Sequence, residues 1–341
     1  MNRRPHRYSR CHSARSYGTG YGRYKRAKWL FDPATINQGA KNLNKEPDFK
    51  TVALIGLGAM GGGMATRLLE MNFPLLLFSR SSEKAAPFRK KGARVSNSLP
   101  EVACAADIII SVVSDDGASK AVWLGENGIL EHARESTILV ECSTLSLGWV
   151  QNLAEEAEIK GLSILDAPVT GSKIEAREGA LRFLVGGCKS ALARGKMVFD
   201  ALGREVVHIG PTGSGIRMKL INNLISAIQI AATAEGVALA ELVGLDLDLV
   251  RSVLERGAPG SPIAKTMLGR MINGDFACHF SPALMAKDLR YAIGLAGASD
   301  LRLGNANAAL SLFDEAVKAG LDTYDVSSVI EVLRRDLKKL V

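Results

Sequence analysis

TVALIGLGAMGGGMATRLLEM (Thr51–Met71) runs from a short apolar, β-rich segment through a cluster of glycines into a helical pattern. Gly56, Leu57, Gly58, Ala59, Met60 and Gly61 satisfy GxGxxG directly after the strand-like run and at the opening of the helix-like one. In that context the pattern reads as a dinucleotide fingerprint. The first glycine permits a tight turn, the second lets a pyrophosphate approach the backbone, and the third allows close helix–strand packing. The helix N-terminus adds unpaired N–H groups that favour an anion.

The same alternation continues downstream. Residues 51–56, 75–79, 93–97, 108–113, 137–143, 163–169, 181–187 and 206–210 read as strands, with helix-like pieces such as SLGWVQNLAEEAEIKG (146–161) between them. Continuous apolar strands separated by helices predict a largely parallel sheet covered on both faces. Residues 50–212 are therefore expected to form an α/β, Rossmann-type doubly wound domain. After GPTGSG (210–215) the strand signals stop, and IRMKLINNLISAIQIAATAEGVALAELVG (216–244) reads as one long helix. Its apolar positions fall on most faces, which predicts burial on nearly all sides. Further helical patterns follow, so residues 213–341 are expected to form an all-helical C-terminal domain entered through a long interdomain helix.

The end of the second strand chooses between cofactors. A carboxylate there would accept hydrogen bonds from a ribose diol, but this chain has Ser79, Arg80 and Ser81. A guanidinium flanked by hydroxyls suits a 2′-phosphate, so NADP is the expected cofactor and NAD the alternative. SVVSDDG (111–117), with Val113 and Ser114, and ECSTLS (141–146), with Thr144, follow predicted strands and would line the same crevice. Asp166-Ala167-Pro168-Val169-Thr170-Gly171-Ser172 ends another strand at that edge. Thr170, the Gly171 N–H and Ser172 could hold a substrate carboxylate without adding negative charge.

Lys219 and Asn223, four residues apart, project from one face of the long helix. A lysine there could give a proton to a developing alkoxide or assist loss of one from an alcohol; Asn223, which does not titrate, would orient substrate. A snorkelling lysine at a helix end is the plainer alternative. Lys287-Asp288 reads equally as a functional pair or an exposed ion pair.

The net charge of +8 comes from the N-terminal extension. Residues 1–31 carry nine Arg and Lys and no acid, leaving 34 basic against 35 acidic residues in the remainder, a net of −1. Residues 1–49, poor in aliphatic side chains, are expected to be a disordered basic extension. A solvated extension, an organelle transit peptide and a nucleic-acid-binding arm with interleaved Tyr8, Tyr17, Tyr21 and Tyr24 are its competing readings. Five scattered cysteines without CxxC spacing argue against a disulfide framework or zinc site and place the chain by default in a reducing, cytoplasmic setting. No metal site and no membrane span are expected, and His208 reads as a strand residue with a satisfied ring.

GLGAMGGGMATRL (56–68), DAPVTGS (166–172), EGALRFLVGG (178–187), GSGIRMKLINN (213–223) and FSPALMAKDL (280–289) occur in an order and spacing that resemble the β-hydroxyacid dehydrogenase family, which includes 3-hydroxyisobutyrate dehydrogenases and small semialdehyde reductases. The resemblance spans about residues 50–338. It implies an NAD(P)-dependent oxidoreductase of small 3-hydroxy acids or aldehyde acids, with an interdomain active site and usually dimers or tetramers. It further implies that Lys219 is the catalytic lysine, Asn223 a substrate-binding asparagine, and Thr170, Gly171 and Ser172 the substrate loop. Thr144 would lie near the nicotinamide, and Lys287 would close over the cofactor. The chain departs from the family pattern at Thr170 for serine, at Ser172-Lys173 for a second glycine and at Arg67 for asparagine. Lys173 beside the loop would shift preference towards a more acidic substrate. Imine reduction and a non-catalytic nucleotide-binding adaptor are the alternative functions, and retention of Lys219 weighs against both.

Overall fold

The computed structural model describes residues 51–297, 299 and 301–340; residues 1–49 and the readings attached to them lie outside the described residues. The described residues form nine strands: β1 (Val52–Ile55), β2 (Leu75–Phe78), β3 (Arg94–Ser96), β4 (Ile108–Ser111), β5 (Ile138–Glu141), β6 (Ile164–Asp166), β7 (Val169–Thr170), β8 (Leu181–Gly186) and β9 (Gly203–Gly210). Helices α1 (Ala59–Glu70), α2 (Ser82–Lys90), α3 (Leu99–Ala105), α4 (Asp116–Trp123), α5 (Ile129–His132), α6 (Leu147–Ile159), α7 (Lys173–Glu178) and α8 (Lys189–Leu202) lie among them. The rest of the described chain is helical: α9 (Ser214–Leu242), α10 (Leu247–Arg256), α11 (Pro262–Asn273), α12 (Pro282–Gly294), α13 (Gly304–Lys318) and α14 (Ile330–Leu340), with a 3-10 turn at Val326–Val329.

The strands form one sheet in the order β3-β2-β1-β4-β5-β6-β8-β7, with β9 against β8. The first six are parallel, and their order is that of a dinucleotide-binding sheet whose connections reverse between β1 and β4. Alternate residues explain the unbroken apolar runs. Val52 and Leu54 join one core with Met64, Leu68 and Phe199, while Ala53 and Ile55 join another with Trp123, Trp149 and Leu153. Both faces are covered, so neither set of side chains meets water.

The stretch 163–169, expected as one strand, divides into β6 and β7. Pro168 follows β6 and lacks the N–H that a ladder requires, and β7 turns to pair antiparallel with β8. His208 lies in β9 with Nε2 2.8 Å from the Gly187 carbonyl, as its strand reading requires.

Helix α9 joins the two halves by contributing to two cores. Ile216 and Leu220 pack with the sheet, whereas Ala227, Ile230 and Ala234 pack with Met271, Leu289, Phe313 and Val329 of the helical half. Lys219 and Asn223 thus fall where one core gives way to the next. Among the described residues α9 alone is long and apolar enough to cross a membrane by length and composition, but its two core contributions make it an internal helix of this fold. The expected burial on nearly every side is corrected: Met218, Ile221, Ile225, Leu239 and Leu242 are exposed.

Candidate active site at the domain junction

The glycine turn after β1 satisfies three separate demands. Gly56 has φ +95°, and a Cβ there would strike the Val112 carbonyl oxygen. Gly61 sits so close beneath that turn that a Cβ would strike the Gly56 carbonyl oxygen. At Gly58, by contrast, a Cβ would meet no atom within 4 Å, so the open side of this residue is available to a ligand. Helix α1 begins there with no side-chain cap and no acid in its first turn, leaving N–H groups and the positive end of the helix dipole unanswered. Leu57 is buried beneath the turn; Ala59 is exposed and Met60 partly so. This cradle fits a nicotinamide dinucleotide.

Ser79, Arg80 and Ser81 form the link from β2 to α2, beside the cradle, because the Gly56 N–H donates to the Phe78 carbonyl at 3.0 Å. Arg80 is exposed. The Ser81 N–H donates to Ser79 Oγ at 3.3 Å, which shapes the turn.

The ends of β4 and β5 are locked by a buried carboxylate that the sequence reading passed over. Glu141, 1% exposed, accepts from Ser119 Oγ (2.6 Å), Trp123 Nε1 (2.8 Å) and the Ser143 N–H (2.9 Å). Trp149 Nε1 donates in turn to Ser119 Oγ at 2.9 Å. Ser143 Oγ accepts from the Val113 N–H at 2.7 Å, so one network sets both Val113 and the segment holding Thr144. Burial pushes the Glu141 carboxyl up, opposed by its hydroxyl and indole donors. The sequence signal is an acid closing an otherwise apolar strand. Ser114 Oγ donates to Asp115 Oδ2 at 2.6 Å, and Asp115 caps α4 by accepting from the Ala118 N–H at 2.9 Å. These bonds hold the Asp115 carboxyl below its usual range, helped by Lys287.

Lys287 closes over this edge from the helical half. Its Nζ donates to the Thr144 carbonyl at 2.6 Å, lies 2.8 Å from Asp288 Oδ1 and stands 4.7 Å from the Tyr291 ring centre. The choice left open for Lys287-Asp288 is decided: this is not an exposed pair, since the Asp288 side chain is 2% exposed. The 2.8 Å contact lacks hydrogen-bond alignment at Asp288 Oδ1 and acts as a charge contact. Asp288 Oδ2 accepts from Asn223 Nδ2 at 2.6 Å, and Asn222 Nδ2 donates to Asn223 Oδ1 at 3.1 Å. The Asn223 amide keeps one N–H to offer.

Lys219 is partly exposed as a residue and makes no hydrogen bond or ion pair among the described residues. Burial of the side chain holds its pKa below 10.5; Asp288 pulls the other way and Lys287 reinforces the lowering. Lys219, Asn223, Asp288, Lys287 and Thr144 are thus brought into one interdomain cluster.

The loop Thr170–Ser172 is only partly available. Gly171 adopts φ +122°, which favours glycine. Ser172 is committed to a capping box at α7: its N–H and Oγ donate to Glu175 Oε2 at 2.8 and 2.5 Å, and its Oγ accepts from the Ile174 N–H at 3.1 Å. Thr170 is half-buried, and its hydroxyl has no partner among the described residues. No hydrogen bond joins this loop to Lys219 or Asn223. Lys173 Nζ donates instead to the Cys278 carbonyl at 3.0 Å, tying the loop to the helical half. Arg67 Nε donates to the Ala201 carbonyl at 3.1 Å, a structural engagement away from the cluster.

A family profile described as the NAD binding domain of 6-phosphogluconate dehydrogenase matches residues 51–210. A second, the NAD-binding domain of NADP-dependent 3-hydroxyisobutyrate dehydrogenase, matches residues 213–333. The chain is 33% identical over 287 residues to an NAD-dependent L-serine dehydrogenase of Pseudomonas aeruginosa, covering 82% of this chain and 96% of that one. It is 32% identical over 292 residues to a mitochondrial 3-hydroxyisobutyrate dehydrogenase of Mus musculus, covering 84% and 87%. The crystal structure of a Salmonella typhimurium 3-hydroxyisobutyrate dehydrogenase superposes with a TM-score of 0.75 at 28% identity, over 83% of this chain and 99% of that one. The cradle, the junction cluster and these matches agree: the chain belongs to the β-hydroxyacid dehydrogenase family of NAD(P)-dependent oxidoreductases acting on CH–OH groups.

Proposed function

We propose that this hydroxyacid dehydrogenase uses NADP(H), works as a reductase of small aldehyde or keto acids that is reversible towards the 3-hydroxy acid, and employs Lys219 as general acid and base. The observation that carries this reading is a half-buried lysine without a partner among the described residues at the junction of two cores, beside a fixed Asn223–Asp288–Lys287 cluster. A bound nicotinamide supplies the hydride. Lys219 gives a proton to the carbonyl oxygen in reduction and takes it back in oxidation. Asn223 and Thr170 orient the substrate, and Gly171 and Ser172 shape the loop that receives its carboxylate. Lys287 and the Glu141 network hold the Thr144 and Val113 segments as a wall that limits water. The division of labour follows residues 50–212 for the cofactor and 213–341 for the helical wall.

Arg80 supports the NADP assignment, because no acid occupies the end of β2 and the guanidinium is exposed beside the cradle. NADPH and NADH oxidation should be followed with glyoxylate, succinic semialdehyde, tartronate semialdehyde and methylmalonate semialdehyde. One or more should be reduced with NADPH preferred. Arg80→Ala should weaken NADPH about 10-fold or more, the value of one charge-assisted hydrogen bond, and leave NADH within about twofold. Preference for NADH throughout the wild-type screen would remove the assignment.

The exposed apolar face supports a homodimer or homotetramer. Ile221 and Ile225 of α9 lie one turn apart, Leu239 and Leu242 follow near its end, and α10 exposes Leu249 and Val253 while burying none of its residues. Helix α10 rests on the helical core through Leu254 and leaves Leu249 and Val253 as an apolar stripe open to a second copy. Light scattering should give a mass that is a multiple of 36.4 kDa; a single-chain mass at micromolar concentration would refute the oligomer.

A further inference from the structure

Asp166 ends β6, four residues before Thr170, and its carboxylate engages the start of α9. Its Oδ1 accepts from the Gly213 N–H at 2.7 Å and its Oδ2 from the Ile216 N–H at 2.8 Å. The Gly215 N–H also contributes to holding the carboxylate. Each oxygen therefore grips a different point on the first turn of a 29-residue helix that lacks a side-chain cap of its own. Two attachments a few residues apart fix both the axial position and the rotation of the helix, which one attachment would not.

The glycines of the entry segment exist for this grip. Gly213 takes φ +88°, the left-handed turn that aims its N–H at Oδ1. A Cβ at Gly215 would strike the carbonyl oxygens of Leu184 and Asp166, and a Cβ at Gly186 would strike Asp166 Oδ1. Gly186 and Gly215 thus clear space around one carboxylate that is 2% exposed, and Gly213 supplies the turn that reaches it. Lys219 follows Ile216 by three residues, on the same side of the helix. A rotation or slide of α9 at its first turn would carry the ammonium with it.

We propose that Asp166 is the positioning residue for Lys219: it clamps the first turn of α9 to the end of β6 and so sets where the ammonium stands in the cleft. The proposal rests on the assignment of Lys219 as general acid and base. Burial pushes the Asp166 carboxyl from 3.8 up to about 6. A raised value in the folded state means that the stability tied to the protonated form is lost as pH rises through about 6.

The test is a double-mutant cycle on the full chain with Asp166→Asn and Lys219→Ala, reading kcat, KM and the Kd for NADPH by fluorescence titration. Asparagine keeps the shape but offers an acceptor to only one of the two N–H groups. Asp166→Asn alone should lower kcat about 100-fold, the scale set by a misplacement near 1 Å, raise KM because Asn223 rides on the same helix, and leave the NADPH Kd within about twofold. In the Lys219→Ala background the same substitution should change kcat less than about twofold, because its effect passes through the lysine. An equal fold-loss in both backgrounds, wild-type turnover in Asp166→Asn, or a parallel rise in the NADPH Kd would overturn the clamp. Lys219→Ala alone at wild-type turnover would sink the lysine assignment, and the clamp's catalytic role with it. Amide exchange on the wild-type enzyme decides the matter if Asp166→Asn does not fold. Protection at Gly213 and Ile216 equal to that of mid-helix amides supports the clamp, and exchange at the rate of a frayed helix end overturns it.

Discussion

Replacing Lys219 with alanine is expected to lower kcat by about 100- to 10,000-fold, the usual span for a positioned general acid or base, while the Kd for NADPH stays within about twofold. The cofactor cradle lies at the β1–α1 turn and shares no hydrogen bond with Lys219, so the loss should fall on turnover. The pH dependence carries a sign. Burial holds the ammonium below 10.5, so reduction, which needs the protonated form, should decline with rising pH before that value is reached. Oxidation, which needs the neutral amine, should rise over the same interval. Both limbs should vanish in the alanine variant. Steady-state kinetics in each direction from pH 6 to 10 would check this, and an unchanged kcat in Lys219→Ala would eliminate the mechanism.

The second large effect separates two glycines of the same fingerprint. Gly56→Ala should cost about 3 kcal/mol or more, combining a strained positive φ with overpacking against the Val112 carbonyl. Gly58→Val should leave stability within about 1 kcal/mol, because that side chain would enter open space at a residue with φ −71°. It should nevertheless weaken NADPH and NADH alike by about 10-fold or more, since the branched side chain would stand where a pyrophosphate must approach. Urea denaturation and fluorescence titration of the two variants would test the contrast. Equal loss of stability in both, or unimpaired cofactor binding by Gly58→Val, would contradict the assigned roles.

Much of the site was legible in local pattern. The glycine turn follows from spacing, and the pairing of Lys219 with Asn223 on one helical face follows from a separation of four. Arg80 could be placed at a strand end because β2 is a clear apolar run. The Glu141 network was not legible, because Ser119, Trp123, Ser143 and Trp149 come from separate elements and meet only after folding. Ser172 was read as a substrate donor, whereas Glu175, three residues on, draws both its N–H and its hydroxyl into a capping box. That pattern was present in the sequence and competed with the functional reading. The exposure of Ile221 and Ile225 was missed for another reason. An apolar stripe has the same composition whether it is covered by its own chain or left open.

From sequence alone came the alternating architecture, the dinucleotide turn, the helical second half and the lysine on its long entry helix. Each depends on periodicity or on steric limits acting within a few residues. Tertiary structure decided whether Lys287-Asp288 is buried, which donors answer Glu141, and how Asp166 grips α9. The same folding brings Lys287 to the Thr144 carbonyl, 143 positions away. The charge state and orientation of a buried group depend on which distant dipoles surround it, and local pattern holds no record of them.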